Sequence, residues 1–145
     1  MEVVRLAHLD DIGSLAEAAR GEGFRFLDRL RREWEDGSNR FEAPGEVLFG
    51  AYVDGVLVGT GGLTRQGSSL GRVRRVYVHP EFRRRGIAGA LMAAVLEFGR
   101  DWYSELVLYT ETSEAARLYE GLGFVAEDPE GPDHATHRLD LRLTD

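Results

Sequence analysis

The residues most suited to chemistry are three consecutive arginines, Arg83, Arg84 and Arg85, followed at once by Gly86, Ile87, Ala88, Gly89 and Ala90. Small residues let a ligand approach the backbone, and free amides at the start of a helix form an anion site that the helix dipole reinforces. A glycine at such a joint lets successive amides curl into a nest of the kind that cradles a pyrophosphate. Positive side chains at a helix N-terminus oppose the dipole by roughly 0.3 to 1 kcal/mol each, a placement that makes sense when an anion sits between them. With Arg72, Arg74 and Arg75, six arginines fall within residues 72 to 85. They predict one local positive patch for a small anionic ligand.

That patch belongs to an acidic chain. Among 145 residues there are 25 acidic side chains and 18 basic ones, all arginine, for a net charge of -7. The absence of lysine removes Schiff-base chemistry and the phosphate-binding lysine of a P-loop. With no cysteine, disulfides, thiolate metal sites and an acyl-cysteine intermediate are excluded. An acidic surface repels the phosphate backbone, so nucleic acid is not an expected partner, and no metal is implied. No apolar run approaches the roughly 20 residues that span a bilayer, and the first residues lack the order of a signal peptide. A cytoplasmic protein with no membrane partner is therefore the expectation.

The elements that must hold the arginine joint can be read from periodicity and turn chemistry. Residues 2 to 6 suggest a first strand, and Asp10 or Asp11 can cap a helix that stops near Gly21. From Phe24 to Trp34, the spacing of Phe26, Leu27, Leu30 and Trp34 predicts a second amphipathic helix. Residues 46 to 53 and 56 to 63 alternate as strands around Asp54-Gly55, a strong hairpin signal. Residues 71 to 78 predict a fourth strand closed by Pro80. Ala88, Leu91, Val95, Phe98 and Trp102 place the next helix directly after the arginines. Leu106 to Tyr109 predict a buried parallel strand, Ser113 caps a helix that ends at Gly121 and Gly123, and strands follow at Phe124-Val125 and at 135 to 142. The order β-α-α-β-β-β-α-β-α-β-β is that of an α/β domain.

The run Arg83-Arg84-Arg85-Gly86-Ile87-Ala88 resembles the Arg/Gln-x-x-Gly-x-Gly/Ala signature of the GNAT superfamily of N-acetyltransferases. VYVHPEF before it is similar to that family's fourth strand and proline turn, and EAARLYEGLGF after it to the family's fourth helix. The likeness runs from about Gly71 to Val125. It implies a single domain over 1–145, a mostly antiparallel mixed sheet flanked by helices with a β-α-β acetyl-CoA-binding core. Acceptor-side helices would occupy 1–45, the cofactor core 46–125 and a C-terminal strand region 126–145.

The resemblance also implies roles. The backbone of Val76, Tyr77 and Val78 would bond the pantetheine arm of acetyl-CoA like an added strand. Arg83, Arg84, Arg85, Gly86, Ile87, Ala88 and Gly89 would hold its phosphates. The fourth and fifth strands would splay near a bulge, with the Val78 amide stabilising the oxyanion. Tyr119 would protonate the departing thiolate, since a phenol with a pKa near 10 keeps its proton at neutral pH.

An ammonium must lose a proton before its nitrogen attacks, so a base is also expected. The fourth strand carries no carboxylate, which departs from the family pattern. Candidates are Glu111, His134 and His137, beside a water relay or an acceptor arriving neutral. Thr112 stands where the family often has asparagine. The aromatics Phe24, Phe26, Trp34 and Phe41, interleaved with Glu33, Glu35, Asp36 and Glu42, could make a wall for a cationic amine, but the spacing of Phe26, Leu30 and Trp34 is that of a buried helix stripe and favours core for most of them.

The implied activity is transfer of acetyl from acetyl-CoA to a primary amine, on a small molecule or a protein, in a ternary complex. A non-catalytic acyl-CoA sensor is the alternative, and the final strand could pair across a homodimer.

Overall fold

The computed structural model describes residues 1–143. The strands are β1 (Glu2–Arg5), β2 (Val47–Val53), β3 (Val56–Arg65), β4 (Leu70–Val78), β5 (Glu105–Leu108), β6 (Val125–Ala126) and β7 (His137–Asp140). The helices are α1 (Gly13–Gly21), α2 (Phe26–Asp36), α3 (Ile87–Arg100) and α4 (Ser113–Gly121), with short 3₁₀ turns at Pro80–Phe82 and Leu141–Leu143. All seven strands form one sheet in the order β1-β2-β3-β4-β5-β7-β6. Every pairing is antiparallel except β4 with β5, the pair joined by the α3 crossover. The α/β order read from the sequence is therefore the observed one.

Helices cover both faces. Leu15, Ala16 and Ala19 of α1 and Leu27 and Leu30 of α2 pack with Leu48, Leu57 and Tyr77 on one face. Met92, Val95 and Leu96 of α3, joined by Tyr119 of α4, pack with Leu63, Val73, Leu106 and Leu139 on the other. In α3 the buried stripe is Ile87, Leu91, Met92, Val95, Leu96 and Gly99. Of the stripe read from the sequence, Leu91 and Val95 are therefore buried, Ala88 and Phe98 are half-buried, and Trp102 lies past the helix end and is exposed.

Three local expectations are corrected. The N-cap of α1 is Ile12, with no side-chain cap, because Asp11 instead accepts a hydrogen bond from the Tyr52 hydroxyl (2.9 Å). The cap of α4 is Thr112, whose Oγ1 accepts from the Ala115 amide (3.2 Å), one residue earlier than Ser113. The last strand stops at Asp140 and turns into a 3₁₀ segment. It lies between β5 and β6 rather than at the sheet's edge, so its side toward β5 is already paired.

Two irregularities shape the middle of the sheet. The β4–β5 ladder covers only Leu70, Gly71 and Arg72 opposite Glu105, Leu106 and Val107. Beyond Arg72 the two strands part. On the other side of β4, Thr60 faces Tyr77 and Gly62 faces Arg74, leaving Arg75 and Val76 opposite Gly61 alone. This is a β-bulge, which bends the strand and strengthens its twist. Arg75 takes φ +59°, costly for an arginine, and the wholly buried Thr60 hydroxyl donates to the Arg75 carbonyl (2.7 Å).

Candidate active site

The parted strands open a cleft of about 1150 Å³ between β4, β5, the start of α3, α4 and the α1–α2 corner. Val78 lies on its β4 wall and Tyr119 on its α4 wall. The His79 amide donates to Val58 on β3 (2.8 Å), and antiparallel strands alternate the direction of their polar groups. The Val78 N–H and C=O therefore point away from β3, into the cleft. The Val78 carbonyl indeed accepts from Arg83 Nε (3.1 Å) on that side. By the same alternation Val76 faces the cleft, while the Tyr77 backbone faces β3.

At the end of β4 the chain turns through Arg84 (φ +64°) and Gly86 (φ +78°) before α3 starts at Ile87. Gly86 is the N-cap and offers no side chain, and the first helical bond recorded is from the Ala90 amide to the Gly86 carbonyl (3.0 Å). Among the described residues, no amide from Arg84 to Gly89 has a backbone partner. A Cβ placed on Gly86 or Gly89 would meet no atom within 4 Å, so the surface above these amides is open. Unpaired, convergent amides with clear space before them fit a pyrophosphate.

The six arginines that looked like one patch divide. Arg83, Arg84 and Arg85 lie at the joint, whereas Arg72, Arg74 and Arg75 lie on the α2 face of β4. Arg83 is committed to Glu22, which its guanidinium grips at 2.9 and 2.6 Å, and its charge stacks over Tyr77 (5.5 Å). Arg84 lines the cleft, but Arg85 turns away over the Phe82 ring (4.9 Å). Arg72 donates to the Asp133 and His134 carbonyls (2.9 and 3.0 Å), fastening the β6–β7 loop to the sheet. Arg75 is nearly buried, with one contact to Glu33 at 3.3 Å. Its Nε is the one buried side-chain polar atom without a hydrogen-bond partner among the described residues, a deficit of about 1–3 kcal/mol for a buried donor.

Tyr119 is buried edge-on to Phe124 (5.8 Å), and that burial pushes its hydroxyl up to about 12. Its proton is thus held more firmly than in an exposed tyrosine. Tyr77, also buried, hydrogen-bonds the Glu22 carboxylate, and burial and this anion both raise its pKa. The Arg83 guanidinium in turn holds the Glu22 carboxyl below its ordinary range.

The candidate bases separate. Glu111 lines the cleft and accepts from the Tyr109 hydroxyl (3.1 Å), and His134 lines it too. His137 does not: it is buried in β7, with Nε2 2.8 Å from Glu120. The aromatic and acidic wall also comes apart. Phe24 and Phe26 stack on each other (5.4 Å) against Tyr77 and line the cleft, but Phe41 is core. Glu33 is turned to Arg75, and Glu35, Asp36 and Glu42 lie away from the cleft. Sequence reasoning missed Glu22, Arg25 and Arg29, which line it instead. Their one sequence signal is position, in the loop and first turn between two helices.

Comparison with known proteins agrees with this geometry. Residues 10–124 match the model of the acetyltransferase (GNAT) family. A crystal structure from Exiguobacterium sp. 255-15, described as of an acetyltransferase, superposes with a TM-score of 0.84 at 32% identity, covering 97% of this chain and 94% of that one. An aminoglycoside 6'-N-acetyltransferase crystallised with coenzyme A shares the fold at a TM-score of 0.72 and 14% identity, each chain covered to 97%. Human N-acetyltransferase 8 is 48% identical over 52 residues, a match spanning 34% of this chain and only 23% of that protein. Among the described residues no helix is long and apolar enough to cross a membrane. The chain belongs to the GNAT acetyltransferase family.

Proposed function

We propose that this chain transfers an acetyl group from acetyl-CoA to a primary amine by direct attack within a ternary complex. The observation that carries the reading is the continuity of one groove. It runs from the free amides of Arg84 to Gly89, along the outward-facing polar groups of Val78 and Val76, to the Tyr119 wall. Residues of the chain fit a pyrophosphate at one end and an extended amide-bearing arm along β4. Bound acetyl-CoA supplies the activated acyl group.

In the reaction the acceptor nitrogen attacks the thioester carbonyl, a C–N bond forms and the C–S bond breaks. The Val78 N–H donates to the oxygen on which negative charge develops. Tyr119 gives its proton to the departing thiolate, and Glu111 takes the proton lost by the acceptor ammonium. As the tetrahedral intermediate collapses, its nitrogen loses a second proton, which passes through solvent to the Tyr119 phenolate, so that Tyr119 is restored and one proton, the one taken by Glu111, is released overall. Binding without turnover would mark an acyl-CoA sensor instead.

Calorimetric titration of acetyl-CoA into wild type and Gly86→Glu tests the cradle. Micromolar affinity, about -8 kcal/mol, should vanish in the variant, whose carboxylate enters the open space before the amides. No binding to wild type overturns the reading. Thiol release over an amine panel, compared with Tyr119→Phe, then tests the chemistry.

A further inference from the structure

Resting on that reading, we infer that the acceptor amine carries a carboxylate of its own, held by arginines on the α2 side of the cleft. Seven arginines and three glutamates line a cleft in a chain whose net charge is -7. The excess is concentrated where the acceptor must enter rather than at the phosphate cradle alone. Arg74 and Arg75 form the floor on β4, and Arg25 and Arg29 face them from the α1–α2 corner and the first turns of α2.

These charges are undercompensated. Arg75 has one carboxylate contact at 3.3 Å and a buried Nε with no partner. Arg74 Nε meets only the neutral Thr64 hydroxyl (2.9 Å). Arg25 and Arg29 are exposed and make no side-chain hydrogen bond or ion pair among the described residues. A guanidinium presents forked donors that match a carboxylate in geometry as well as charge. Of the lining acids, Glu22 is held between Arg83 and Tyr77. Glu111 and Glu114 lie across the cleft, beyond β5 and at the start of α4.

The cleft therefore has an arginine wall and an acidic wall. An α-amino acid fits this polarity, its ammonium toward Glu111 and its carboxylate toward the arginines. A polycation meets repulsion at the arginine wall, which replaces the acidic wall that the sequence suggested.

The test is acetyl-CoA-dependent thiol release with phenylalanine, its carboxamide, phenethylamine and spermidine. Dipeptides beginning with glutamate or phenylalanine, both with the C-terminus amidated, distinguish a free amino acid from an acidic peptide N-terminus. The carboxylate-bearing acceptors should exceed their carboxamides by at least about tenfold in kcat/KM, the scale of a desolvated charge-assisted contact. Arg29→Glu, at an exposed position, should remove about tenfold of that preference through KM. Titration with acetyl-CoA and the melting temperature report that the cradle and fold are intact in the variant. Equal or faster turnover of carboxamide or spermidine overturns the inference and leaves acetyl transfer standing. Absence of thiol release from every carboxylate-bearing amine also overturns it. Acetyl-CoA binding by wild type then decides whether the parent reading falls with it.

Discussion

The two ends of the cleft present positive charge by different means. At the α3 end the exposed donors are backbone amides, set by local φ angles at Arg84 and Gly86 and by the lack of a capping side chain. At the α2 end they are arginine side chains brought together from residues 25, 29, 74 and 75 by tertiary packing. A backbone site depends on a few consecutive residues and one helix. A side-chain wall depends on how two helices and a bulged strand happen to meet, so it can be rebuilt without disturbing the α3 end.

The comparison breaks most sharply at the amides. Gly86→Glu should lower acetyl-CoA affinity by at least about a hundredfold, read by calorimetry, because an anionic side chain occupies the space a phosphate needs. Tyr119→Phe should leave that affinity unchanged and lower kcat by about 10²- to 10⁴-fold, measured by thiol release.

Deleting the hydroxyl that braces the bulge should cost stability as well as function. Thr60→Val leaves the Arg75 carbonyl without its donor inside the sheet, for a loss of about 1–3 kcal/mol in denaturant unfolding. The acceptor KM should rise while acetyl-CoA affinity changes little, which separates the two ends.

Smaller effects appear in pH dependence. Folding lowers the Glu22 carboxyl below its reference value of 4.5, chiefly through the Arg83 hydrogen bond. The unfolded chain therefore binds that proton first as the pH falls. Its stabilising contribution is present above about pH 4.5 and is lost as the pH falls through the lower folded value. Glu22→Gln should flatten acid unfolding curves over this window, with a change within about 1 kcal/mol at neutral pH because the pair is partly exposed. At the alkaline end, Tyr119 rises from 10.0 to about 12 on burial. Between these values the folded chain holds the extra proton, so stability falls as the pH rises through them, and Tyr119→Phe should lessen that slope by the share of one proton, leaving the part due to the raised Tyr77.

Legibility in the sequence followed the same division. Arg83 to Gly89, the proline turn and the LYEGLGF segment are contiguous, so the strand, nest and helix they form could be read directly. The strand order could not, because nothing local to residues 137–140 says that they insert between β5 and β6. The bulge at Arg75 was expected only from resemblance, since it is a mismatch between two strands rather than a property of either. The acidic wall failed because net charge and composition say nothing about direction: Glu33 turns to Arg75, while Arg25 and Arg29 reach the cleft. The Ser113 cap was displaced by one residue because Thr112 has the extended backbone that a cap requires.

The bulge has a further consequence, which is one of parity. Along β4, Val73 faces the α3 core and Arg74 the α2 side, and strict alternation would then send Arg75 among Val95 and Leu96 and lift Val76 out of the apolar layer. By spending two residues against Gly61, the strand keeps Arg74 and Arg75 on one face and returns Val76 and Val78 to the other. The extra residue is thus a frame correction. Deleting Arg74 or Arg75 would leave an ordinary alternating strand with Val76 and Val78 still in the apolar layer, at the loss of one guanidinium from the α2 face and of the bend, whereas a deletion elsewhere in β4 would turn out every residue after it.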